Sequence, residues 1–213
     1  MGTRQKQSRR LGMENARSRS LLVDAADHIL TEEGAHAVSA RRVADRAGLK
    51  PQLVHYYFKT MDDLLIAVFR RAQEEYLQRH EHALEGRQPL DALWKLNNES
   101  QGTRRMMEFI SLAGRREAVR EVILESAARF RQLQIDAISR VLDERGVDRT
   151  EFPPAGVALL MATVSRGLLL EQTLGLSLGH AELRAFVTRI LKTVDASSDK
   201  ARSSRKKRAR IAS

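Results

Sequence analysis

The chain has 213 residues, room for one large domain or two small ones. Hydrophobic residues make up 42%, charged residues 30% and aromatic residues 5%, a balance that suits helices and argues against an all-β fold. The formal charge of +10 raises nucleic acid or an anionic membrane as partners, and the absence of cysteine excludes a disulfide framework and any Cys-ligated metal site.

The charge sits at the ends. Residues 1–20 carry +5 and residues 196–213 carry +6, while residues 21–195 sum to −1. Residues 1–16 are polar, basic and without apolar period, which predicts a disordered arm, and Met13 is a possible internal start. The N-terminus shows no apolar run of the secretory type, so no signal peptide is expected.

From Arg17 to Glu33 the residues Leu21, Leu22, Ala25, Ala26, Ile29 and Leu30 recur at helical spacing, and Gly34 is the stop. Ser39 is the expected N-cap of a short helix over 40–47, ended by Gly48. A three-residue turn, Gly48-Leu49-Lys50, leads to Pro51 at the first position of a helix over 51–57. Thr60 and Asp63 form a capping-box-like pair at the start of a helix over 61–83. Helices are expected over 90–101, 104–113 and 117–145, the last stopped by Gly146. The apolar run AGVALLMATVSRGLLLEQTLGL follows Phe152-Pro153-Pro154 as a helix to Leu174. Arg166 and Glu171 interrupt it, which favours a buried or interfacial helix over a membrane span. A final helix is expected over 181–194, followed by a disordered basic tail over 196–213. No strand pattern and no internal repeat is visible.

Two short helices joined by a tight, Gly-initiated turn at residues 40–57 satisfy the helix-turn-helix description. A recognition helix places its N-terminal side chains in the DNA major groove, so its exposed face needs hydrogen-bonding and planar groups, here Gln52, His55 and Tyr56 or Tyr57. Ser39, Arg41, Arg42, Lys50 and Lys59 stand at the helix ends, where phosphates are held.

The run SARRVADRAGLKPQLVHYYFKTMDDLL, preceded by TEEGAHAV, resembles the N-terminal DNA-binding domain of TetR/AcrR-family transcriptional regulators over roughly residues 17–70. The resemblance implies an all-α protein of about nine helices: a three-helix DNA-binding domain at 17–60, then a helical effector-binding and dimerisation domain at 61–195. It further implies phosphate contacts from Ser39, Tyr57 and Lys59, and an approach to base edges by Arg41, Gln52, Leu53 and His55, with Pro51 offering an apolar contact. Gln52 is the strongest reader by chemistry, because Gln pairs bidentately with adenine. Three positions depart from the family pattern: His55 stands where Tyr is usual, Met61 where Lys is common, and Lys50 where Ser or Thr often caps.

The expected function is that of a ligand-responsive regulator, a repressor that binds a palindromic operator in double-stranded DNA as a homodimer in the cytoplasm and is released by a small-molecule effector. The alternative is a non-specific architectural DNA-binding protein acting through its basic tails. The two C-terminal helices are expected to form the dimer interface, with Leu168, Leu183, Phe186, Val187, Ile190 and Leu191 on it. Amides on an otherwise apolar stripe, Asn97 and Gln101 after Trp94, suggest a ligand pocket, which Met106, Phe109 and Phe130 would also line. Arg166 is a candidate carboxylate binder, against the plainer expectation of a salt bridge to Glu171 or to a partner's acid. No catalytic constellation, metal-ligand spacing or cofactor motif is present: His80 and His82 face differently on a helix, and neither a P-loop nor a nucleophile elbow occurs.

Overall fold

The structure is a computed structural model that describes the backbone of residues 2–211 and the side chains of residues 13–196 except 100, 101 and 103. Among the described residues there is no strand. The helices are α1 (Gly2–Glu33), α2 (Ala40–Ala47), α3 (Pro51–Tyr57), α4 (Met61–Leu84), α5 (Pro89–Asn97), α6 (Ser100–Ala113), α7 (Glu117–Arg145), α8 (Pro154–Thr173) and α9 (His180–Ile211), with a 3₁₀ turn at Ala35–Ala37.

Helix α1 starts at Gly2 rather than Arg17, and α9 continues to Ile211 rather than ending at Val194. Neither expected tail contains a proline, and once a helix is nucleated each further residue adds a hydrogen bond without a new nucleation cost.

Most starts and stops follow the local chemistry. The Thr60 N–H donates to Asp63 Oδ2 at 2.9 Å, and the Asp63 N–H returns to Thr60 Oγ1 at 3.1 Å, a reciprocal capping box at the start of α4. Helix α5 stops at Asn97 because the Asn98 amide donates to the Trp94 carbonyl at 2.8 Å, a local side-chain bond that competes with helix continuation.

The chain divides into two compact units. The first comprises Met1–Glu74 and Arg104–Glu125, and so includes much more than the expected 17–60 domain. Its core holds Leu22, Ala26, Ile29 and Leu30 of α1, Val43 and Ala44 of α2, Val54 of α3, and Leu64, Leu65, Val68 and Phe69 of α4. Phe109 of α6 closes this core edge-on against Phe69, with ring centroids 5.1 Å apart. Polar anchors add to it: Arg105 Nη1 donates to Asp27 Oδ2 at 2.9 Å, Glu108 Oε2 accepts the Ala35 N–H at 2.9 Å, and Arg116 pairs with Asp62.

The second unit comprises Glu75–Thr103 and Ser126–Ser213. Leu90, Leu93 and Trp94 of α5 pack with Ile138, Val141 and Leu142 of α7, Ala158, Met161 and Leu168 of α8, and Val187, Leu191 and Val194 of α9. Asp195 fixes α9 to the start of α5 by accepting the Leu90 and Asp91 N–H groups at 3.4 and 3.2 Å, donors that the first turn of a helix leaves unpaired. Burial raises the Asp195 carboxyl above its ordinary value.

By length and composition α8 is long and apolar enough to cross a bilayer. In the second unit its Ala158, Met161, Ser165 and Leu168 point inward at spacings of three and four, while Leu159, Leu160 and Leu170 are exposed.

Candidate functional site

The turn between α2 and α3 depends on Gly48, whose φ of +66° lies in the left-handed region that side-chain-bearing residues disfavour. There the Leu49 N–H reaches back to the Ala44 carbonyl at 3.0 Å and the Gly48 N–H to Asp45 at 3.2 Å, which closes α2 with a Schellman-type stop. Lys50 is extended, and Pro51 starts α3 where no N–H is needed. Ser39 caps α2 by accepting the Arg42 N–H at 3.5 Å.

Helix α3 has two distinct faces. Val54 and Phe58 are 1% and 3% exposed and set the helix into the core, with Leu53 and Tyr57 half-buried at its flanks. Gln52, His55, Tyr56 and Lys59, spaced i, i+3, i+4 and i+7, are exposed together, as is Pro51. Tyr56 is 71% exposed, and no core function accounts for a large aromatic side chain held in solvent. Gln52, His55 and Tyr56 thus share one exposed face, with Leu53 at its edge.

The expected phosphate contacts divide. Ser39, Arg41, Lys50 and Lys59 are exposed at the helix ends, and Arg41 lies 3.9 Å from Asp45, an exposed pair of little strength. Arg42 instead pairs with Glu33 of α1. The Tyr57 hydroxyl donates to Asn15 Oδ1 of α1 at 3.0 Å, and the Arg19 guanidinium stacks 5.1 Å from the centre of the Phe58 ring. Asn15 and Arg19 lie beside the end of α3, an association that α1's own sequence does not reveal.

The residues expected to share one ligand pocket are not gathered in one place. Phe109 and Met106 serve the core of the first unit and Trp94 that of the second, because apolar periodicity marks burial without telling which core is served. The side chain of Gln101 lies outside those described. Arg166 does not pair with Glu171: that carboxylate meets His180 Nε2 at 2.7 Å. Arg166 Nη2 lies 3.5 Å from Thr163 Oγ1, and among the described residues no carboxylate pairs with it. Burial, then the charge of Arg131, pull its pKa down.

Asn97 and Phe130 do come together in the second unit, with two residues of α4 that the sequence left unassigned. The Tyr76 hydroxyl donates to Asn97 Oδ1. Ring centroids lie 5.2 Å apart for Tyr76 and Phe130, 5.1 Å for His80 and Phe130, and 6.4 Å for Tyr76 and His80. His80 is 4% exposed; among the described residues its Nε2 and the Asn97 Nδ2 are buried without a partner. Burial holds the imidazole neutral, with its pKa down at about 4, and pushes the Tyr76 phenol up to about 12. The signal in the sequence was the i, i+4 spacing of Tyr76 and His80 on one helix.

The fold and the exposed α3 face define a helix-turn-helix protein. Residues 22–68, a stretch within the first unit, match the family described as bacterial regulatory proteins, tetR family. The chain is 30% identical over 131 residues to the HTH-type transcriptional regulator BetI of Rhizobium meliloti (strain 1021), a match covering 57% of this chain and 64% of that protein. The chain thus spans just under two thirds of this relative's length. Two solved structures share the fold. A putative TetR-family transcriptional regulator from Rhodococcus sp. has a TM-score of 0.66 at 18% identity, covering 85% of this chain and all of that one. A putative transcriptional regulator from Saccharomonospora viridis in complex with choline has a TM-score of 0.67 at 16% identity, covering 83% and 96%.

Proposed function

We propose that the chain is a ligand-responsive transcriptional repressor that binds a palindromic operator as a homodimer and releases it when a small-molecule effector binds. The observation that carries this reading is α3: Val54 and Phe58 fix it to a core while Gln52, His55 and Tyr56 stand exposed behind a proline start. That arrangement suits entry of the helix N-terminus into the major groove, with Ser39, Arg41, Lys50 and Lys59 holding the flanking phosphates. Gln52 is the base reader, and His55 and Tyr56 complete the face.

One seven-residue helix reads few base pairs, so specificity calls for two copies related by a two-fold axis. The exposed leucines of α8 and, on α9, Leu183, Phe186 and Ile190 at spacings of three and four form the surface for the second copy. Leu168, Val187 and Leu191, expected on that surface, belong to the core of the second unit, and the interface is correspondingly narrower. The Tyr76–His80–Asn97–Phe130 cluster, with two buried atoms unpartnered among the described residues, supports an effector site in the second unit, and a solved structure of the same fold in complex with choline supports ligand binding. Release requires an effector that prefers one of two conformations of the dimer. The site of action is the bacterial cytoplasm, where the operator is.

Selection of random-sequence DNA on the full chain tests this reading. Enrichment of an inverted repeat with half-sites about 34 Å apart supports it. Recovery of unrelated sequences, with affinity set by salt alone, supports an architectural protein instead.

A further inference from the structure

Resting on the regulator reading, we propose that Tyr76, His80, Asn97 and Phe130 bind an uncharged aromatic molecule carrying a hydrogen-bond acceptor such as a carbonyl oxygen. Three helices of the second unit supply the site: Tyr76 and His80 from α4, Asn97 from the end of α5 and Phe130 from α7. Buried polar atoms are almost always paired, and two that are not lie in this one cluster. The Asn97 amide oxygen is occupied by the Tyr76 hydroxyl, so its free group is the NH₂, a donor. A ligand acceptor satisfies it. His80 Nε2 then donates or accepts according to its tautomer, which suits a second polar edge on the same molecule. The Phe130 ring meets His80 edge-on and lies tilted against Tyr76, an arrangement that favours a flat, π-bearing body.

The charge balance decides against an ionic ligand. Both ring partners are neutral at pH 7, since the imidazole titrates near pH 4 and the phenol near 12. The charged groups that act on Tyr76 are Arg79 and Glu99, and they pair with each other. An organic cation would face the Asn97 N–H groups with no carboxylate of the cluster to offset its desolvation, and a carboxylate ligand would find no cation there.

Saturation-transfer NMR on the full chain with benzamide, benzoate and choline tests the proposal. Benzamide is expected to bind at least tenfold more tightly than either ion, and Asn97→Leu and His80→Phe are each expected to weaken it at least tenfold. Asn97→Asp keeps the side-chain shape but replaces the free donor by a carboxylate oxygen, and is expected to shift the preference towards choline. Choline or benzoate matching benzamide on the native chain, or benzamide binding untouched by all three substitutions, overturns the proposal. Retardation of selected DNA separates this failure from that of the regulator reading. Sequence-specific retardation without benzamide binding overturns the ligand class alone. Benzamide binding without sequence-specific retardation supports the ligand class and overturns the regulator.

Discussion

At the scale of single residues, α3 and the polar–aromatic cluster differ most in the solvent exposure of Gln52 and His80. Gln52 is exposed, and its amide offers one donor and one acceptor in the geometry of an adenine edge. Gln52→Ala is therefore expected to cost about 1–3 kcal/mol on operators with the preferred base and much less on others, as measured by fluorescence anisotropy on a panel of single-base variants. His80 is the buried counterpart. Its pKa of about 4 lies below the ordinary 6.5, so the unfolded chain takes up a proton first as the pH falls. The stability linked to neutral His80 is complete above pH 6.5 and is lost as the pH drops towards 4, up to about 3 kcal/mol in all. Urea midpoints at pH 7 and pH 4.5 measure it: the drop between them is expected to be smaller in His80→Phe than in the native chain. Of these two residues only Gln52 was legible beforehand. Gln52 is singled out by its position in the motif, whereas the surroundings of His80 depend on α7, fifty residues further on, bringing Phe130 to it.

At the scale of elements, the helix boundaries were legible where neighbouring residues set them. Helices α2, α3 and α7 match their expected bounds because Ser39, Gly48, Pro51 and Gly146 act within a turn of themselves. The boundary between α5 and α6 was misplaced because Asn98 looks like an ordinary polar helix residue until its amide turns onto the Trp94 carbonyl. The α9 stripe was misread for another reason. Leu183, Phe186 and Ile190 form one flank of a single apolar stripe whose other flank, Val187, Leu191 and Val194, is buried, and periodicity cannot say how much of a stripe the rest of the unit covers. Gly48 carries the prediction at this scale. Beyond its chain neighbours, no atom of the described residues lies within 4 Å of where its Cβ would stand, so Gly48→Ala meets only the left-handed backbone penalty. The substitution is expected to destabilise the chain by about 1–2 kcal/mol in urea denaturation. An unchanged midpoint would mean that the turn has relaxed out of the helix-turn-helix geometry.

At the scale of the whole molecule, the +10 charge that first suggested a basic binding surface sits on the chain ends, while residues 21–60, which hold the helix-turn-helix, are formally neutral. The exposed α3 face is thereby separate in sequence from the excess charge. The dimer reading adds a further expectation. Phe186 is 50% exposed on a face shared with Leu183, so Phe186→Glu is expected to leave the fold intact and produce a monomer in sedimentation velocity, with at least a tenfold loss of operator affinity. The central claim is that α3 reads base sequence twice across a two-fold axis. DNase I footprinting of the full chain on its selected DNA, native beside Gln52→Ala, tests it most directly. The account predicts a protected inverted repeat whose two halves lie one helical turn apart and lose protection together in the variant. Uniform protection along the fragment, or an identical footprint from both proteins, would contradict it.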